Sequence, residues 1–265
     1  MTGPGFFIPY RYADQVDSTI FHLGSMYSIA AGEADFAALL AACDAYADAL
    51  LAIPAEPTVP GAPRWRQDWF PTLDAAAAYT LVRERKPKRI IEVGAGHSTR
   101  FLARAIADGA LYTVFTAIDP APRAALAGLA VSWVPSVVQQ ADPALFAALE
   151  PGDMLSIDSS HILMPGTDVD LLLNGVLPLL APGVLVHFHD IMLPDPYPEG
   201  WAWRGYNEQQ AVGPLLAGGG WKPLFASHYV ATRMAEAVAA SVVGRLPANP
   251  DAPPGSLWLE KLPPR

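Results

Sequence analysis

From residue 72 onward the chain alternates between short β-rich runs and helical patterns, which leaves few architectures open to it. Helical spacing over residues 72–84 leads into a strand at 89–93, and a second helix runs from 98 to 108. A run rich in β-branched and aromatic residues, 111–119, ends at Asp119; a helix at 123–129, a short strand at 131–135 and a helix at 143–149 follow. Then come a strand at 153–158 ending at Asp158, a helix at 168–180 and a strand at 183–190 ending at Asp190. The tail differs, because residues 221–234 and 255–262 read as two late strands that pair antiparallel. Strands alternating with helices in this way are βαβ units around a parallel sheet, so the expected class is α/β.

Ahead of this pattern, residues 33–51 carry apolar positions at helical spacing, dominated by alanine. The stretch "IPAEPTVPGAPRW" then cannot continue a helix. The expected organisation is an N-terminal helical or lid segment with its proline-rich connector over residues 1–70, followed by the main domain over 71–265.

Composition narrows the partners. A net charge of −9 argues against nucleic acid, which calls for a basic face. The cations Arg83, Arg85, Lys86, Lys88 and Arg89 lead straight into a buried strand and read as a solvated helix end. The single cysteine, Cys43, excludes an intramolecular disulfide and reads as a buried thiol. The apolar segments are interrupted by acids or prolines, and the first residues do not form a signal peptide, so a cytoplasmic protein with no membrane partner is expected. Self-association as a homodimer is left open.

The stretch "RIIEVGAGHSTRFLARAI" is a buried strand, a glycine turn and a helix, with Glu92 just ahead of Gly94 and Gly96. Glycines at such a corner allow a ligand close to the backbone, and in open α/β sheets ligands sit beyond the carboxyl ends of the strands. A dinucleotide fingerprint needs a third glycine where Thr99 stands, and the carboxylate of Glu92 would repel a pyrophosphate. A cationic ligand reverses that sign. S-adenosylmethionine, with an ammonium, a sulfonium and no phosphate, is such a ligand.

"IIEVGAGHSTRFLARAI" resembles the first motif of class I S-adenosylmethionine-dependent methyltransferases. "TAIDP" resembles their second motif, "MLSIDSSH" the fourth-strand motif and "PGVLVHFHDIMLP" the fifth. The likeness extends over nearly the whole chain and is strongest to bacterial enzymes acting on small molecules. The resemblance implies a Rossmann-like, mostly parallel seven-stranded sheet of order 3-2-1-4-5-7-6 with the last strand antiparallel. Helices would cover both faces. It implies that Gly94, Ala95, Gly96 and Ser98 line the methionine part of S-adenosylmethionine and that Glu92 helps organise its ammonium end. Asp119 would accept hydrogen bonds from the ribose hydroxyls, Asp142 would meet the adenine amino group, and Asp158 would complete the cofactor site. Phe6, Phe7 and Tyr10 would close over it.

Methyl transfer is an in-line displacement at the sulfonium carbon, so the groups at the ends of the fourth and fifth strands matter most. There the chain supplies Asp158, His161, His187, His189 and Asp190. His189 is the expected general base, ahead of His161, which would do the same work from the neighbouring loop; Asp190 is a further catalytic candidate, and His187 reads as a core residue. The sharper alternative is a divalent metal held by Asp158, His161, His189 and Asp190. Tyr10, Trp203, Tyr206 and Asn207 are the expected substrate wall. The leading expectation is methylation of a small molecule at a hydroxyl oxygen. The alternatives are a metal-dependent oxygenase or cyclase using His161, His187 and His189, and a noncatalytic module that binds S-adenosylmethionine.

Overall fold

The computed structural model describes residues 11, 12, 15 and 22–264. Seven strands form one sheet: β1 Arg89–Val93, β2 Val114–Ile118, β3 Ser132–Val134, β4 Met154–Ile157, β5 Leu185–Phe188, β6 Trp221–Ala226 and β7 Leu257–Lys261. Their order is β3-β2-β1-β4-β5-β7-β6, as expected from the sequence. The first five strands are parallel, while β7 pairs antiparallel with both β5 and β6. The chain runs outward from β1 to β3, then returns to β4 on the other side of β1. Order therefore reverses between β1 and β4, which opens a crevice at their carboxyl ends.

Helix α4, Thr72–Arg85, is buried at every position from 72 to 82, which suits its run of alanines. It packs against α5, His97–Asp108, and α2, Glu33–Ala45. The Phe36 ring of α2 meets Phe225 of β6 edge-on at 5.9 Å, so the N-terminal helices share the sheet's core. Trp65 and Phe70 of the proline-rich connector pack on Phe101 of α5, at 5.1 and 6.2 Å. That packing carries the connector past the crevice. Cys43 is buried, as read from the sequence, and burial pushes its thiol up to about 11.

Local structure departs from the sequence expectation in several places, each with a physical cause. Residues 123–129 form no helix: the Ala125 carbonyl accepts from the Arg100 guanidinium at 3.2 and 3.3 Å, and Gly128 adopts φ +84°. The segment 168–180 begins as α7, Asp168–Leu171, then widens over Leu172–Val176 and tightens over Leu177–Leu179, where Pro178 has no N–H to give. The expected strand 221–234 ends at Ala226, and Ser227–Arg233 is a helix, α9. The change comes where Ser227 donates its hydroxyl to the buried Asp74 and its N–H to Ser256 O. Residues 33–51 split at Tyr46 into α2 and α3, Ala47–Leu51, while α1, Leu23–Ala30, meets α2 at a 54° bend. The remaining helices are α6, Ala144–Ala147, α8, Gln209–Ala217, and α10, Ala235–Ala240. Among the described residues no single helix is long and apolar enough to cross a membrane.

Candidate active site

The turn after β1 is held by backbone geometry that only glycine allows. Gly94 has φ +83°, and a Cβ there would fall 1.7 Å from the carbonyl oxygen of Asp158. The Ala95 N–H donates to Asp119 Oδ2 at 2.7 Å, so the end of β2 fixes the turn. Asp119 Oδ1 accepts from the Ala121 N–H at 2.6 Å, leaving further lone pairs of the carboxylate for a ligand.

These groups line a cleft of about 470 Å³, within the size range of ligand sites. Gly94, Ala95, Gly96, Ser98, Asp119 and Asp158 all border it. So do Trp69, Arg123 and residues 136–139 at the end of β3, which the sequence reading passed over. Three buried polar atoms on its lining have no partner: His97 Nδ1, Ser136 Oγ and Ser159 Oγ. Burial and the nearby Arg100 and Arg64 push His97 down to about 4, so its ring is neutral. Unpartnered polar atoms are rare in protein interiors, and these three belong to three separate segments that border the cleft.

Two expected cofactor residues are placed differently. Asp142 is exposed, does not border the cleft, and accepts from the Ala144 N–H at 2.9 Å. Its proline neighbour starts a helical turn, and the Asp142 carboxylate serves that turn. Glu92 is wholly buried beneath the glycine turn, where Ser98 Oγ donates to it at 2.7 Å and Thr99 Oγ1 at 2.5 Å. Thr99 Oγ1 also accepts from the Gly96 N–H at 2.9 Å. Burial raises Glu92 to about 8, so at neutral pH it is mostly uncharged. The acids that border the cleft are Asp119, Asp158 and Asp168, and Glu92 ties the turn to α5.

Beyond Asp158 a second, small cavity of about 30 Å³ opens, bordered by Asp158, His189 and Asp190 with Trp69, Arg123, Trp201 and Arg204. Asp158 borders both spaces. Behind it lies a buried ion network. His189 Nδ1 is 3.4 Å from Asp158 Oδ1 and 3.5 Å from Asp190 Oδ1, and its Nε2 is 3.3 Å from Asp74 Oδ2. His161 Nε2 lies 3.3 Å from Asp158 and 3.6 Å from Asp190, with Nδ1 2.9 Å from Glu208 Oε2. Burial alone would lower both imidazoles, but the surrounding carboxylates raise them well above the usual value. Burial would raise Asp158, yet His189 and His161 hold it well below the carboxylate range. Both imidazoles are thus held protonated at neutral pH, which departs from the expectation of a ready free base.

Asp158, His161, His189 and Asp190, the residues of the metal alternative, do meet, but as this ion network. Among the described residues no group of three or more His, Cys, Asp or Glu side chains is arranged to hold a metal ion. Of the three clustered histidines, His187 lies with its ring 6.0 Å from that of His189 but faces serines rather than the carboxylates. His187 is committed to Ser156 Oγ at 2.9 Å and Ser256 Oγ at 2.8 Å, and it stacks on Trp258 at 4.5 Å. Burial lowers it to about 3.

The expected substrate wall is also redistributed. Trp203 is 82% exposed and borders neither space, while Trp201 borders the small cavity. Tyr206 packs on the His161 ring at 4.5 Å. Asn207 clamps the loop carrying His161, accepting from the Leu163 N–H at 2.6 Å and donating to Leu163 O at 3.3 Å. Tyr10, like Phe6 and Phe7, lies outside the described residues. The network partners Asp74 and Glu208 were not expected. The signal for Asp74 was present, as the one acid inside "TLDAAAAYTL", a helix otherwise fit for full burial.

Residues 91–191 match a family model described as a methyltransferase domain. No curated protein matches the chain in sequence. Among solved structures, the plantazolicin methyltransferase BpumL, in complex with a triazolic desmethylPZN analog and SAH, is 12% identical, covers 72% of this chain and 85% of its own, and has a TM-score of 0.46. The SAH-bound Podospora anserina methyltransferase PaMTH1 is 17% identical over 71% of this chain and 78% of its own, at 0.38. An O-methyltransferase from Bacillus cereus in complex with SAH is 14% identical over 85% and 91%, also at 0.38. The family match spans the glycine turn, the acid at the end of β2 and the paired ends of β4 and β5. Over residues 91–191, from β1 to just past β5, the chain is thus similar to a methyltransferase domain, set within the seven-stranded sheet.

Proposed function

We propose that the protein transfers the methyl group of S-adenosylmethionine to a hydroxyl oxygen of a small molecule. The observation that supports this best is the shared wall at Asp158, where the cofactor-sized cleft with its three unpartnered polar atoms meets the small cavity in front of His189. A hydroxyl in that cavity would lie beside the sulfonium. Its oxygen attacks the methyl carbon, the carbon–sulfur bond breaks with its electron pair passing to sulfur, and the hydroxyl proton passes to His189. S-adenosylhomocysteine and the methyl ether are the products.

His189 takes that proton only when neutral, and the carboxylates of Asp158 and Asp190 keep it charged above the usual histidine range. Raising pH through this elevated value increases the neutral fraction, so turnover with a hydroxylated acceptor should climb on the alkaline side of pH 6.5. His189→Gln should cut turnover about 10²–10⁴-fold. The measurement is S-adenosylhomocysteine release against pH, with the methylated atom of the product identified by NMR. A methyl on nitrogen or carbon, or a rate already flat by pH 6.5, would contradict the proposal.

A further inference from the structure

We infer that the methyl acceptor carries a carboxylate, gripped by Arg204. The inference rests on the methyl-transfer reading and names the substrate class for that site. The small cavity, at about 30 Å³, admits little more than the reacting end of an acceptor. The remainder must lie beyond it, past bordering residues that include Trp69, Arg123, Trp201 and Arg204.

Arg204 is built to hold something. Its guanidinium lies 4.1 Å over the Trp201 ring, with Tyr206 at 5.4 Å and Trp203 at 5.6 Å, and the side chain is only 19% exposed. Its Nη1 reaches Asp190 Oδ2 and the Tyr206 hydroxyl, both at the outer limit of 3.5 Å. Its Nε is buried with no partner, and among the described residues no acceptor meets Nη2. The Nε–Nη2 edge of a guanidinium is a two-donor fork that matches the two oxygens of a carboxylate. That edge is the one not turned to Asp190, so an incoming anion avoids the cavity's own acid. The aromatic rings hold the fork in place before any ligand arrives, which lowers the ordering cost of binding. Arg123 adds a second cation at the same cavity, its guanidinium 4.4 Å over Trp69 and without an ion-pair partner among the described residues. Of the three carboxylates that border the cavity, Asp158 and Asp190 lie beside His161 and His189, and Asp68 accepts from the Asn249 amide.

The test is calorimetric titration of the protein, first with S-adenosylhomocysteine and then, once loaded, with benzoate or with benzamide, its neutral isostere. Benzoate should bind at least about tenfold more tightly than benzamide, because only the anion makes the charge-assisted pair. Arg204→Gln should bring benzoate down to the benzamide level, and Arg204→Lys should recover part of the difference, since lysine supplies charge without the fork. Affinity for S-adenosylhomocysteine, whose cleft Arg204 does not border, should stay the same in both variants. Equal binding of the two probes, benzoate binding indifferent to Arg204, or no benzoate binding to loaded protein would each overturn the inference. Failure to bind S-adenosylhomocysteine in the first titration would instead strike the methyl-transfer reading itself.

Discussion

Replacing Gly94 with alanine should lower S-adenosylhomocysteine affinity at least about 100-fold and destabilise the fold by about 3 kcal/mol. A Cβ at this position would sit 1.7 Å from Asp158 O and 2.7 Å from Asp158 C, both backbone atoms that cannot swing aside. The backbone also adopts φ +83°, which costs an alanine on the order of 1–2 kcal/mol before any clash. Relief requires β1 and the end of β4 to part. That would shift Ala95 away from Asp119 and Asp158 away from His161 and His189, and thus alter both spaces at once. Urea unfolding together with calorimetry on the same preparation checks both effects. Alanine tolerated with affinity intact would mean that the turn is not the cofactor cradle.

Asp74→Ala should cost about 3–5 kcal/mol of stability, the range for breaking a buried, hydrogen-bonded charge pair. Asp74 is wholly buried in α4 and accepts from the Ser227 hydroxyl, from the Gly255 N–H at 3.0 Å and from the Ser256 N–H at 3.1 Å. It also faces His189 Nε2. Burial alone would raise this carboxyl, and its bonds to His189, Gly255 and Ser227 bring it below the usual value. One carboxylate thus joins α4, the start of α9, the entry to β7 and the expected catalytic histidine. Ser227→Ala removes one donor to Asp74 and one acceptor of the Ser256 N–H, which Asp74 also holds, and should cost about 1 kcal/mol. Chemical denaturation of the two variants gives the comparison. A loss below about 1 kcal/mol for Asp74→Ala would remove it as the anchor of His189.

The α/β class was legible because short apolar runs such as "RIIEV" alternate with helices, whereas the strand order came from the motifs' resemblance to a known family. Asp119, Asp158 and Asp190 could be placed at the carboxyl ends of strands from chain position alone, and that is where the ends of β2, β4 and β5 bring them. Charge state was not legible. Glu92 reads as an acidic guard in one dimension, yet three-dimensional burial makes it mostly neutral. His189 reads as a base, yet three carboxylates, one of them 115 residues away in sequence, keep it protonated. Asp142 entered the expected site through the family resemblance, and its exposed carboxylate caps the turn at Ala144. The wall beside Asp119 is instead built by residues 136–139, which follow β3 directly. The helix expected over 123–129 failed because the Arg100 side chain, from a different element, takes the Ala125 carbonyl.

Cofactor identity underlies every step of the mechanism, and one calorimetric comparison reaches it directly: S-adenosylhomocysteine against NAD, on the wild-type protein and on Asp119→Ala. The cleft's acids, Asp119, Asp158 and Asp168, disfavour a pyrophosphate, and the Gly96 N–H that could cradle one is committed to Thr99. The expected result is S-adenosylhomocysteine binding with a Kd on the order of micromolar, no comparable NAD binding, and a loss of roughly 1–3 kcal/mol in Asp119→Ala. Tight NAD binding without S-adenosylhomocysteine binding would contradict the assignment, and unchanged affinity in a folded Asp119→Ala would take that carboxylate out of the site.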